Sequence, residues 1–181
     1  MQIVTKIRDF QRQREYRWQA QLQSSPANIQ LSATQCADLV REVWQRYKSG
    51  EGPRVRATAH KWRMARGSPW LITLPRWARH TLVVLHETVH ALVGCWCGHG
   101  PEFMAAFLMV LEEHGFGSYG VLYLSAREAG LKVAPRAACP RPRRLTDEER
   151  KAHQREWGRR YRERKRRRVS TLDISRFKGV S

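Results

Sequence analysis

The sequence predicts an α+β domain with a small β-sheet, followed by a basic helical tail. Two patterns carry that reading. Apolar residues recur first at helical spacing, then alternate, then return to helical spacing, which puts strands between pairs of helices. From about residue 136 onward arginines replace apolar residues, and no core can form there.

The elements follow in order. Residues 8–23 are polar with scattered aromatics and read as a short helix stopped before Ser24-Ser25-Pro26. In SATQ, Ser32 and Gln35 fit a capping box. Leu39, Val40, Val43, Trp44 and Tyr47 then mark one helical face, and Gly50 ends it. Val55, Ala57 and Ala59 alternate with Arg54, Arg56 and Thr58, as a strand requires, and PWLITLP is a second strand candidate. Residues 79–93 predict a helix burying Leu82, Val83, Leu85 and Val89, ended by Gly94. Pro101 suits the first turn of the next helix, PEFMAAFLMVLEEH, which Gly115 stops. The predicted order is helix, helix, strands, helix, helix.

Composition divides the chain into a domain at 1–133, a Pro/Arg-rich linker at 134–145 and a basic helical tail at 146–181. The linker holds Pro135, Pro140 and Pro142. The formal net charge is +18 over 181 residues, and residues 136–168 alone contribute +10 of it. Such an excess points to a polyanionic partner, most simply DNA or RNA. A second stretch, Arg54 to Arg79, has 7 basic residues and no acid. The N-terminal MQIVTKIRDF is too short and too charged for a signal segment, and no run reaches the roughly 18 apolar residues of a membrane helix. Four cysteines, two of them at 95 and 97, suit reduced or metal-bound thiols. The expectation is a cytoplasmic monomer with no membrane partner.

The chemistry concentrates in HETVHALVGCWCGHGPEF. On a helix, His86 and His90 lie one turn apart on one face and can reach one ion, while Glu87 is about 100° round from His86. A catalytic zinc takes three protein ligands and keeps one position open. His99 is the leading third ligand, because Gly94 lets the chain turn back and Pro101 launches the next helix. Glu102, Glu112, Glu113 and His114 are its rivals. Cys95 and Cys97 fit a small turn with free thiols, a thiol approaching the metal, or a separate thiolate site with His99.

HETVHA followed by HGPEF resembles the SprT/Spartan-like zincin core. The likeness is closer still to a group of actinobacterial and phage metallohydrolases with the same short gap between motifs. Here the shared features are WLITLPRWARHTLVVLHETVHAL and the early IRDFQR, and the likeness covers about residues 7–133. It implies a compact zincin-like domain with His86, His90 and His99 on one Zn²⁺, Glu87 as catalytic base, and a bacterial or phage-infected cell as setting. The gap from His90 to His99 is shorter than in the DNA-repair Spartan proteins. Cys139 is also the only cysteine after Cys97, so a SprT-type zinc ribbon is not expected. The resemblance thus implies the zincin core without the crosslink-protease role or a substrate.

With zinc bound, a water-activating Glu87 suits a peptidase acting on a protein or peptide substrate. Tyr119, Tyr123 and His114 are the candidates to stabilise an oxyanion. In the tail, Thr146 and Glu149 form a capping box and precede Arg155, Trp157, Arg159, Arg160, Tyr161, Arg162, Arg164, Lys165, Arg166, Arg167 and Arg168. These would neutralise phosphates and stack on bases. The rival classes are a non-catalytic nucleic-acid-binding protein with a structural zinc, and a hydrolase of a non-peptide amide.

Overall fold

The computed structural model describes residues 9–58, 64–94 and 98–138. The chain divides into two units, Met1–Arg143 and Arg144–Ser181, and all the described residues belong to the first. The Cys95–Cys97 turn and the expected tail helix lie outside them.

Among the described residues the protein is α+β, with five α-helices and one three-stranded sheet. Helix α1 (Arg12–Gln21) and helix α2 (Ala33–Tyr47) come first. Ser32 and Gln35 form the expected capping box on α2, which satisfies donors that the first helical turn leaves open. Strands β1 (Arg54–Thr58), β2 (Arg66–Gly67) and β3 (Leu71–Pro75) follow in the spatial order β1-β3-β2. β1 runs parallel to β3, and β2 antiparallel to it. β2 has no counterpart in the sequence reading, since two residues are too few to show alternation.

A short 3-10 turn, Arg76–Ala78, leads into α3 (Thr81–Val93). The start of α3 is capped from a distance: Asn28 Oδ1 accepts the Leu82 N–H at 3.1 Å, and the Ile29 carbonyl accepts the Thr81 N–H at 3.0 Å. Within the predicted apolar face Val83 is only partly buried, whereas Val84 is fully so, because α3 has protein on nearly every side. Helix α4 (Pro101–Glu113) is buried from Phe103 to Leu111, as a helix apolar all round must be. Helix α5 (Tyr119–Glu128), capped by Ser118, was not expected; it buries only Leu122 and Ala126 and so shows little periodic signal.

Two apolar clusters result. One joins α3, α4 and α5 with Trp18 of α1, and the other joins Ile72 and Leu74 of the sheet to α2 and Val84. The folded body continues past residue 133: Ala134 is buried and its N–H donates to the Pro101 carbonyl at 2.9 Å, and Arg136 pairs with Glu112 at 2.9 Å. Among the described residues no helix is long and apolar enough to cross a membrane. Phe107 is fully buried and packs on Trp18, Phe103 and His86. Phe107→Ala is expected to cost roughly 3–5 kcal/mol, measured as a lower midpoint of urea unfolding with unchanged slope.

Candidate metal centre

The site begins with helical geometry. His86 and His90 stand one turn apart on α3, and their Nε2 atoms are 3.2 Å from each other. Gly94 ends α3 at φ +89°, a conformation that favours glycine, and Gly98 reverses the chain again at φ +51°. His99 thereby returns to α3, with Nε2 3.2 Å from that of His86 and 3.3 Å from that of His90. Gly100 and Pro101 then start α4, so the third imidazole is held between two buried helices. The group close enough to hold a metal ion is His86, His90 and His99, and Glu102, Glu112, Glu113 and His114 are not part of it.

The three nitrogens form a nearly equilateral triangle, and this shape tests whether a metal fits. Tetrahedral zinc with Zn–N near 2.0–2.1 Å separates its nitrogen ligands by about 3.3 Å, the spacing found here. All three contacts are also within hydrogen-bond distance, with donor and acceptor roles set by the tautomers. His99 turns Nδ1 onto the Asp9 carboxylate, which orients the ring with Nε2 toward the other two imidazoles. Burial, reinforced by neighbouring positive charge, lowers His86 to about 3 and His90 to about 2, so both rings are neutral at pH 7. The three histidines are close enough to bind one metal ion.

Helix α1 supplies a second layer that the sequence reading did not contain. Glu15 and Tyr16 come from its first turns, Gln11 is its N-cap and Asp9 lies just before it. Gln11 donates to the His99 carbonyl at 2.8 Å and to the Lys132 carbonyl at 3.2 Å, tying the ligand loop to the segment after α5. Glu15 is fully buried; its Oε1 lies 3.3 Å from His86 Nδ1 without hydrogen-bond alignment, and its Oε2 lies 3.8 Å from His99 Nε2. Burial pushes its carboxyl up to about 8. A buried carboxylate with neither oxygen hydrogen-bonded is costly, and a cation at the triangle is the charge that would offset that cost. Such outer partners of metal ligands fix ring orientation and tautomer.

Glu87 is buried beside strand β2. The Gly67 N–H bonds its carboxylate, which holds its pKa down, but burial dominates and raises it to about 7. A Cβ at Gly67 would lie 2.0 Å from the Glu87 carbonyl oxygen, so only glycine lets β2 press this closely on α3. The rings packed on the imidazoles are Tyr16, Phe103 and Phe107. Tyr16 stands 5.2 Å from His99 between ring centres and stays half exposed, whereas Phe103 and Phe107 close the buried side.

The expected oxyanion candidates are placed elsewhere. His114 caps the far end of α4, about 20 Å along the helix from Pro101. Tyr119 donates its N–H to Glu112 near that same end, stacks on Tyr123, and lines an open cleft with Val133 and Arg136. The phenol beside the metal triangle is therefore that of Tyr16. A helical-period stripe of Gln11, Glu15, Trp18 and Gln19 was the available signal, but its polarity reads as a surface face. The expected nucleic-acid residues Arg155 to Arg168 and both thiols of the Cys95–Cys97 turn lie outside the described residues. No protein-family model matches the chain, and neither a curated protein nor a solved structure does.

The triangle makes a direct prediction. Free Zn²⁺ at about 100 times its dissociation constant should stabilise the protein by roughly 2.7 kcal/mol, seen as a higher melting temperature that a chelator reverses. His90→Ala should remove that response, with one ion per chain lost by elemental analysis.

Proposed function

We propose that the chain is a zinc-dependent metallohydrolase, specifically a peptidase, on a compact zincin-like fold, with its basic C-terminal segment directing it to DNA or RNA. The observation that supports this most is the triangle of Nε2 atoms at 3.2–3.3 Å on a helix where a buried glutamate follows the first histidine. A purely structural site needs no base there, and three nitrogen ligands leave the open position that distinguishes a catalytic zinc.

His86, His90 and His99 would hold the ion. When bound, zinc supplies Lewis acidity toward water and toward a substrate carbonyl. Glu87 accepts the proton of the attacking water and passes it to the leaving amine. Asp9 holds the His99 tautomer, and Glu15 balances charge behind His86 and His99. The Arg12 guanidinium hydrogen-bonds the Tyr16 phenol, and burial raises the phenol above its ordinary value. Since Arg12 can only donate, the Tyr16 hydroxyl proton remains available to a developing oxyanion. Phe103 and Phe107 exclude water from beneath the ligands.

The reading is tested with zinc-loaded protein on casein and on a DNA-binding protein, each with and without DNA. Glu87→Gln should retain one zinc and lose at least about 10²-fold in turnover. Tyr16→Phe should retain zinc and lose roughly 10²–10³-fold in kcat. Equal turnover of the parent and Glu87→Gln in every condition would favour a non-catalytic nucleic-acid-binding protein with a structural zinc.

A further inference from the structure

The metal centre uses one side of the sheet region and leaves the other without a role. Residues paired in register project to the same side of a sheet. Val55 pairs with Ile72 and Ala57 with Leu74, and Ile72 and Leu74 face the helices as core. Arg54 pairs with Leu71, while Arg56 and Arg66 both pair with Thr73. The three arginines therefore share the opposite face, with Arg56 and Arg66 flanking Thr73 in one row. Their backbones stand two strands apart, about 10 Å, and all three side chains are exposed.

Nothing in the described structure neutralises this face. No aspartate or glutamate occurs between Gly52 and His86. Among the described residues no ion pair involves Arg54, Arg56 or Arg66. Like charges on one sheet face repel, and an anion bound across the face would relieve that repulsion. Two exposed indoles lie just beyond the ends of β3. Trp70, just before the strand, is 79% exposed, and its carbonyl accepts the Arg54 N–H. Trp77, just after it, is 50% exposed. Exposed tryptophans at both ends of a strand whose two neighbours carry the arginines suit a ligand that alternates phosphates with flat rings.

We propose that the outer face of this sheet binds single-stranded nucleic acid, with Arg54, Arg56 and Arg66 on phosphates and Trp70 and Trp77 stacked on bases. Guanidinium forks grip phosphate bidentately, and indoles stack on any base without regard to sequence. The stretch from Trp70 to Trp77 spans about 20 Å, room for about six stacked nucleotides. The inference does not depend on the hydrolase reading. It adds to the tail's proposed role a contact made by the folded unit itself.

The test uses the full chain and a fluorescein-labelled single-stranded 20-mer, titrated at several salt concentrations. Arg54, Arg56 and Arg66 are changed together to Gln, and in a second protein to Lys. A third protein carries Gln at Arg164, Lys165, Arg166, Arg167 and Arg168. The sheet Gln variant should lower the slope of log affinity against log salt by about 2, at about 0.7 per lost phosphate contact, and the Lys variant should keep the parent slope. Trp70→Ala should weaken binding roughly fivefold or more. If the triple Gln variant fails to fold by melting temperature, single substitutions should each remove about 0.7. An unchanged slope in the sheet variants with a lower slope in the tail variant overturns this proposal and leaves the tail reading standing. No binding by the parent overturns both. Sheet arginines needed only for binding to phosphatidylglycerol vesicles would also overturn it.

Discussion

Three imidazoles with their Nε2 atoms 3.2–3.3 Å apart are the constraint around which the rest of the domain is arranged. The surrounding structure holds the three rings at this spacing. α3 does this for His86 and His90 through helical repeat alone. His99 needs more: two glycine reversals, a proline-started helix and three anchors from α1 and the residues that lead into it. Asp9 meets its ring, Gln11 meets its carbonyl, and Tyr16 packs on its face.

The same demand explains why a polar helix is partly buried. α1 has no apolar stripe wide enough to dock by hydrophobic burial, and only Trp18 enters the main core. Its docking rests on Gln11, Glu15 and the Trp18 indole N–H, which donates to Ser125 at 3.0 Å. A buried Glu15 without hydrogen bonds is destabilising in isolation. A cation at the histidine triangle would offset that cost. The sheet lies on the other side of α3, and Gly67 brings its edge against Glu87. Ligands and base are thus supported from opposite sides, by α1 and by β2.

How much was legible follows from how each signal arises. The α2 capping box, the β3 strand and the α4 span came from local chemistry and were found where expected. The third ligand followed from Gly94 and Pro101, which act on the chain next to them. β2 and α5 escaped notice because one is two residues long and the other buries only two side chains. The oxyanion candidates were chosen for lying downstream in sequence, but α4 carries His114 away from the ligands and leaves Tyr119 beside Glu112.

The amino-acid order by itself determined the α+β class, His86 and His90 as a pair on one helical face, the position of Glu87, and a basic chain with its charge concentrated after residue 136. These are properties of spacing and composition, and they need no partner from elsewhere in the fold. Tertiary structure alone decided that Asp9 and Glu15 stand behind His99 and His86, about 90 and 70 positions away along the chain. It also decided that Tyr16 is the phenol at the site, and that Arg54, Arg56 and Arg66 share one face. Each of these is a long-range juxtaposition of polar groups. Polar residues leave no periodic apolar trace, so only the packed chain reveals which of them meet.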